Sequence, residues 1–143
     1  MTNHHFNNML YEITTKVRKL QKDGSEKEVT ERYITDCELF AEAEHAGMHS
    51  YADYQQEGDV VALKRSDVRE VVNASDDKDY YYKAKIVTKT IDDNANEKEQ
   101  KYYVLIRADS LIEATNKANE YMKQGLDDMS LDGMVKTSII AKI

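Results

Sequence analysis

Hydrophobic and polar residues alternate between Leu10 and Arg18, which is the first regular pattern along the chain. The apolar or β-branched side of this pattern consists of Tyr11, Ile13, Thr15 and Val17. A two-residue period with these side chains predicts a half-buried strand. Residues 22–25 contain Asp-Gly, which favours a tight turn, and residues 28–35 predict the strand that returns from it.

A helical period follows this hairpin. Thr35 and Glu38 have the spacing of a capping box, in which side chains bond free backbone amides, so we predict a helix that begins near Asp36. Apolar or small residues recur at helical spacing at Phe40, Ala43 and Gly47. Residues 60–72 predict a closing strand, with a break near its charged middle.

The same pattern returns 71 residues later without a gap. The matching residues include Tyr11 with Tyr82, residues 26–28 with 97–99, and residues 42–43 with 113–114. Ser110 and Glu113 have capping-box spacing and predict the second helix. Because turns, helix starts and apolar strand positions coincide at one offset, the sequence indicates a duplicated unit.

The predicted fold is α+β, with two tandem ββαβ repeats related by a pseudo-twofold axis. Each repeat is expected to contribute antiparallel sheet and one helix. The predicted segments are a polar tail at 1–9, a first repeat at 10–72, a linker at 73–79 and a second repeat at 80–143. Halves of about 70 residues would be marginally stable alone, so we expect them to share one compact domain.

Charge and cysteine content narrow the class of protein. The net charge of −7 argues against coating of duplex DNA, which needs a cationic surface. The single cysteine, Cys37, excludes an internal disulfide and fits a reducing compartment, where we expect it to be a small buried residue. No apolar run approaches the length of a membrane span. A cytoplasmic protein without a membrane partner is therefore expected.

Several short motifs occur together in a recognisable order. They are Leu10-Tyr11-Glu12, Tyr33 to Asp36, Phe40 to Glu44, Lys64-Arg65 and Tyr81-Tyr82-Lys83. In this combination the chain resembles domain-of-unknown-function family 4494, small proteins of gut anaerobic bacteria and their phages. The resemblance covers nearly the whole chain after residue 8. It implies an accessory protein of a phage or mobile element, and it assigns no activity to any residue.

Acidic residues cluster in and around the first predicted helix, and no Lys or Arg occurs between Tyr33 and Leu63. The candidate protein-binding residues are Asp36, Glu38, Glu42, Glu44 and Asp53. Such a cluster can imitate phosphates and bind a cationic groove on another protein. Alternatively, it is a solvent-facing side that keeps the protein soluble. An ordinary exposed helix mixes both signs of charge, so the absence of cations is the reason to keep the first interpretation beside the second.

An alternative function is the binding of single-stranded DNA or RNA by one face of the sheet. The candidate residues are Lys16, Arg18, Tyr81, Lys83, Lys85, Lys89 and Tyr103. Lysines neutralise phosphates and aromatic rings stack on bases, which is the usual composition of such sites. Tyrosines in a β-rich protein also serve as cross-strand packing residues.

A metal-dependent activity is a second alternative. His45 and His49 are four residues apart, so they share a helix face, with Asp53 one turn further. Such pairs also occur on ordinary solvated faces. The chain has no Walker A, G-x-S-x-G, H-E-x-x-H or C-x-x-C motif, so we expect no enzyme and no cofactor.

The favoured function is therefore a non-enzymatic protein that binds another, unidentified protein, with antagonism of a host system as one such role. The sequence does not determine the oligomeric state, and a homodimer is one alternative.

Overall fold

A computed structural model describes residues 9–125 and 128–143. The elements in chain order are β1 (Met9–Leu20), β2 (Glu26–Cys37), α1 (Phe40–Ala52), β3 (Gly58–Arg65), β4 (Val68–Val72), β5 (Tyr80–Ile91), β6 (Glu97–Ala108), α2 (Leu111–Lys123), β7 (Asp128–Lys136) and β8 (Ile139–Lys142). The predicted α+β class is confirmed. Among these elements, neither helix combines the length and the apolarity that crossing a membrane would require.

The strands form two four-stranded sheets, with strand orders β3-β1-β2-β8 and β4-β6-β5-β7. Contacts along the chain divide it into two compact units. Unit 1 extends to Ser66 and includes Ser138–Ile143, and therefore holds the first sheet and α1. Unit 2 is Asp67–Thr137 and holds the second sheet and α2. The short strands β4 and β8 thus belong to the sheet formed by the other half of the sequence.

Both sheets are mixed, so the predicted purely antiparallel sheets are wrong for one strand pair in each. β8 pairs in parallel with β2, and β4 pairs in parallel with β6. The reason is that the strand predicted over 60–72 divides after Arg65. The Ser66 N–H donates to the Leu10 carbonyl (2.8 Å), and the Ser66 hydroxyl donates to the Glu12 carboxylate (2.7 Å). These bonds end β3, and a new strand begins at Val68.

The core of unit 1 lies between β1 and α1. All four residues of the predicted apolar side of β1 are buried, which confirms the alternating pattern. Ala43 and Gly47 are the buried residues of α1. A Cβ at Gly47 would lie 2.8 Å from Ile13 Cγ2 and 3.0 Å from Val60 Cγ2, closer than packed carbons allow. Glycine at this position therefore permits the close approach of the helix to the sheet.

The core of unit 2 is built in the same way from β5, β6 and α2. Ala114 and Ala118 of the helix are fully buried against a sheet face that includes Ile86, Val104 and Ile106. Small residues on the helix allow it to lie close to the larger strand side chains.

The helix start predicted at Ser110 is also confirmed. The Ser110 hydroxyl accepts a hydrogen bond from the Glu113 N–H (3.1 Å), and the Glu113 carboxylate accepts one from the Asp109 N–H (3.2 Å). These two bonds satisfy amides at the start of α2 that have no partner within the helix.

The first helix begins at Phe40 rather than near Asp36, so the capping box predicted at Thr35 is wrong. Thr35 is buried in β2, where its hydroxyl donates to the Ile143 carbonyl (2.7 Å) instead of capping a helix. Leu39 precedes the helix, and its N–H donates to the carboxylate of Glu42 (2.9 Å). Antiparallel pairing with β1, in which Leu10 lies opposite Asp36 and Met9 opposite Cys37, therefore extends β2 through the residues that would have started the helix.

Residues 73–79, which the sequence predicts as a linker, are held by two cations of unit 2. The Arg107 guanidinium donates to the carbonyls of Lys78 (2.8 Å) and Ala74 (2.9 Å). Lys117 Nζ donates to Asp76 Oδ2 (2.8 Å). This hydrogen bond is the main reason that the pKa of Asp76 is lowered. The segment is thus bound at three points along its length.

We expect Arg107→Ala to lower the free energy of unfolding by about 2 kcal/mol, because two backbone carbonyls lose their charged donor. Urea denaturation of the whole chain measures this change. Arg18→Ala is the matched control, since Arg18 and Glu57 form an ion pair that is 62% and 82% exposed. Its loss should cost less than about 1 kcal/mol. Equal losses in the two variants would contradict the anchoring role of Arg107.

Candidate functional site

The five predicted acidic residues all lie in unit 1, but they do not all lie on the helix. Glu42 and Glu44 lie in α1. Asp36 lies in β2, Glu38 in the turn after it, and Asp53 directly after the helix. All five are exposed. Because α1 starts later than predicted, the predicted acidic helix is instead an acidic surface that begins at the end of β2, and we call these five residues the acidic surface.

Most of this acidic surface has no cation beside it. Within residues 9–125 and 128–143, no Lys or Arg forms an ion pair with Asp36, Glu38, Glu42 or Glu44. Asp53 is bonded to His49, with 3.0 Å between Oδ1 and Nδ1. The negative charge of the other four carboxylates is therefore available to ions in solution or to a cationic partner.

Cys37 lies beside the acidic surface and is partly buried. Its Sγ lies 3.3 Å from the Leu39 carbonyl, which accepts a weak hydrogen bond from the thiol. Burial raises the pKa of the Cys37 thiol, and the carboxylates of Glu42 and Asp36 raise it further. Since the thiolate is the reactive form of cysteine, these causes make Cys37 a weak nucleophile.

The two predicted histidines lie on α1 and are exposed, with their ring centres 6.2 Å apart. His49 already bonds Asp53 through Nδ1, while His45 makes no such contact with a carboxylate among the described residues. Catalytic zinc needs three protein ligands around one point. In the part of the chain that the structure describes, no group of three or more His, Cys, Asp or Glu side chains is placed to hold a metal ion.

The lysines predicted to bind nucleic acid share one face of the second sheet. Lys83, Lys85 and Lys89 alternate along β5 with residues of the core, so they lie on the face away from α2. Tyr103 of β6 lies directly across from Lys85 in the antiparallel register. The structure therefore brings these four residues together as the sequence predicts.

Two of these lysines are already engaged by acidic or aromatic neighbours. Lys83 Nζ lies 2.6 Å from Asp67 Oδ1 and 4.5 Å from the centre of the Tyr103 ring. Lys85 Nζ lies 3.4 Å from Asp132 Oδ2. Phosphate binding on this face would have to displace these carboxylates, so the free positive charge is smaller than the number of lysines suggests.

The remaining residues of the nucleic-acid prediction do not add to this site, because Tyr81 shares the face of Lys83 but is buried, and the other two belong to the first sheet. Tyr81 is only 1% exposed, and the Arg107 guanidinium lies 5.4 Å from the centre of the Tyr81 ring. A base therefore has no free ring face to stack on. Lys16 and Arg18 are exposed on β1 and belong to the first sheet. Arg18 also pairs with Glu57 (3.4 Å).

A groove of about 430 Å³, which sequence reasoning missed, lies beside α1 in unit 1. Tyr33, Ala141 and Ile143 line it from the sheet, and Ala46, His49 and Ser50 line it from the helix. It exists because α1 packs over β1, β2 and β3, while β8 is added at the sheet edge. No local pattern in the sequence reveals it, because it depends on the exchange of β8. We call it the α1 groove.

Unit 2 has a corresponding cleft of about 340 Å³ between α2 and the residues at the end of β4. Here Lys117 and Tyr121 occupy the seventh and eleventh positions of the helix. The same positions of α1 hold Ala46 and Ser50. Burial raises the pKa of Tyr121 well above its ordinary value, which keeps the hydroxyl neutral. The side chains beside α2 are thus larger and more polar than those beside α1.

Comparisons with known proteins give one match, at the level of the family. No curated protein and no solved structure is significantly similar to this chain. The sequence model of one family, described as Domain of unknown function (DUF4494), matches residues 9–143. This range includes every motif on which the resemblance was based, so the resemblance is confirmed. The chain belongs to the DUF4494 family.

Proposed function

We propose that this protein is a non-enzymatic, cytoplasmic accessory protein of a phage or mobile element that binds another protein through its acidic surface. The observation that carries the proposal is the contrast between the two kinds of charge. Four carboxylates of the acidic surface have no cationic partner among the described residues, whereas Lys83 and Lys85 are held by carboxylates. The charge that the acidic surface offers to a partner is therefore not neutralised, whereas that of Lys83 and Lys85 is.

The two helices show this contrast at one matched position. Glu113, the third residue of α2, pairs with Lys78 (3.3 Å) and Lys117 (3.6 Å). Burial alone would raise the pKa of Glu113, but the Asp109 N–H and the Lys78 ammonium outweigh it and lower the pKa. Glu42, the third residue of α1, is followed four residues later by Ala46 instead of a lysine. The carboxylate of Glu42 in unit 1 therefore lacks the lysine partners that neutralise its counterpart, Glu113, in unit 2.

A partner with a cationic groove is the natural complement of this surface. Unpaired exposed carboxylates attract such a groove over about one Debye length and raise the rate of association. A cationic groove that ordinarily holds the phosphates of a nucleic acid would be occupied by the acidic surface. Occupation of that kind is how the protein would antagonise a host system.

We also infer that the chain arose by tandem duplication of one ββαβ unit. Three pairs of elements, β1 and β5, β2 and β6, and α1 and α2, begin and end 71 residues apart. When β3 is matched with β7 and β8 with β4 as well, the strand order of one sheet is the order of the other, read from the opposite edge. The duplication would have given one copy freedom to lose its ion pairs and acquire a binding surface, while the other kept them.

Reversing three acids of the acidic surface should slow protein binding and leave the fold intact. We expect Glu38→Lys, Glu42→Lys and Glu44→Lys together to slow association with a cationic partner about 10-fold or more at low salt. The measurement is affinity capture from the native host with mass spectrometry, followed by association kinetics with the captured protein. Thermal unfolding must accompany it, because the loss of the Glu42 bond to Leu39 costs about 1 kcal/mol.

The matched control reverses three equally exposed acids of the second hairpin, Asp93, Glu97 and Glu99. This control should capture the same protein at the same rate as the unchanged chain. Association that is not slowed by reversal of Glu38, Glu42 and Glu44, or is slowed equally in the control, would contradict the proposal.

Binding of single-stranded DNA or RNA is the second candidate function, and one observation favours it. Lys83, Lys85, Lys89 and Tyr103 share one face of the second sheet. Against it, two of these lysines are engaged by carboxylates and Tyr81 is buried. The protein-binding function is therefore preferred.

We expect weak binding to single strands, with Kd no better than about 10 µM near physiological salt, which is the range of non-specific contacts. Fluorescence anisotropy with a labelled oligothymidine and a labelled oligouridine measures it. Replacing Lys83, Lys85 and Lys89 by Glu should then leave binding of the protein partner unchanged. Submicromolar binding that disappears in this triple variant would establish the nucleic-acid function instead.

A further inference from the structure

We infer that the α1 groove receives one large apolar side chain from a basic segment of the partner protein, with Lys or Arg residues on either side of it. This inference rests on the proposed function and specifies the chemistry of the partner. The observations that carry it are the apolar floor of the groove, the acidic residues on the same stripe of α1 and the smaller, more polar cleft at the corresponding place in unit 2.

The floor of the groove is apolar and fixed in place. Ile143 is held to β2 by two hydrogen bonds, from its N–H to the Ile34 carbonyl (2.9 Å) and to its own carbonyl from the Thr35 hydroxyl (2.7 Å). Tyr33 lies beside it, and burial raises the pKa of its hydroxyl, which therefore stays neutral. A preformed apolar floor binds an apolar side chain without the cost of ordering the site.

The helix wall of the groove continues into an acidic residue at each end. Glu42, Ala46, Ser50 and Asp53 follow one another at spacings of three or four, so they form one stripe along α1. Ala46, Ser50 and Asp53 line the groove, Glu42 lies one turn before Ala46, and no Lys or Arg is among the described residues that line it. A segment lying in the groove would therefore place residues on both sides of its apolar anchor near negative charge. Lys and Arg are the residues that complement this arrangement.

The mouth of the groove offers a further contact for a cationic side chain. Tyr54 lines the groove and is 74% exposed, although exposed aromatic rings are usually packed against something. A guanidinium stacks favourably on such a ring. Asp53 lies next to Tyr54 and is also exposed; its Oδ1 is bonded to His49, so an arginine would contact the Tyr54 ring and the other carboxylate oxygen of Asp53.

Unit 2 shows which side chains narrow such a groove. Tyr121 occupies the helix position that corresponds to Ser50, and Lys117 places its ammonium where unit 1 has only the Ala46 methyl group. Both side chains are partly buried, and Lys117 is held by Asp76 (2.8 Å). The wider groove of unit 1 therefore goes with small side chains at two helix positions, and a tyrosine at Ser50 should take up the space that an apolar anchor needs.

The test uses the whole chain and a library of random twelve-residue peptides displayed on phage. We expect the enriched peptides to contain a large apolar residue flanked by Lys or Arg. Ser50→Tyr adds the tyrosine of α2 without changing the charge, and it should weaken synthetic copies of these peptides about 10-fold or more. Ala52→Tyr is the matched control, since it adds the same side chain at an exposed position of α1 outside the groove. It should bind like the unchanged chain.

A second variant keeps the test decisive if Ser50→Tyr does not fold. Asp53→Lys changes an exposed residue at the mouth of the groove, so the fold should tolerate it, and basic peptides should again bind about 10-fold more weakly. Thermal unfolding of each variant shows which of them can be compared.

The outcomes separate this inference from the proposed function. Basic peptides that lose binding on reversal of Glu38, Glu42 and Glu44 but bind Ser50→Tyr normally would overturn the groove and leave the acidic surface standing. Apolar peptides without basic residues that are blocked by Ser50→Tyr would overturn the basic character of the partner segment. A selection that enriches no peptide, or only acidic ones, would overturn both.

Discussion

The parallel pairing of β8 with β2, and of β4 with β6, is the constraint on which the rest of the structure depends. In each unit, a hydrogen bond to the first strand marks the end of the edge strand. After β3, the Ser66 N–H donates to the Leu10 carbonyl of β1, and after β7, the Thr137 N–H donates to the Tyr81 carbonyl of β5, both at 2.8 Å. The chain then enters the other sheet, where it supplies the fourth strand. Neither sheet can therefore be completed by one half of the sequence.

This exchange also determines where a partner could bind. In unit 1, β8 extends the sheet past the helix, and the α1 groove is the space that this extension leaves. The same extension occurs in unit 2, where Tyr121 and Lys117 reduce the space. The proposed function thus arises from side-chain differences on similar elements: unpaired acids and small residues beside α1, ion pairs and larger residues beside α2. The backbone architecture provides the α1 groove in unit 1 and the cleft beside α2 in unit 2, and the side chains make the two different.

The sequence predicts the local elements well, because their periods and caps are set by nearby residues. The buried side of β1 and the cap at Ser110 are examples. It fails at Thr35, where a hydroxyl with the right spacing for a cap bonds Ile143 instead, 108 residues away. Parallel pairing, the α1 groove and the burial of Tyr81 likewise depend on contacts between residues that are far apart in the sequence. The acidic residues of the candidate site could be predicted because the sequence shows directly where charged residues occur. The residues that lie beside them in the fold could not be predicted.

The most direct test of the exchange is a set of nuclear Overhauser contacts in the isotopically labelled whole chain. The account predicts contacts of β8 with β2, such as Ala141 with Tyr33, and of β4 with β6, such as Val71 with Leu105. It also predicts slow hydrogen exchange of the Ile143 amide, which donates to the Ile34 carbonyl. Contacts of β4 with β2 and of β8 with β6 would contradict it, because each half would then complete its own sheet.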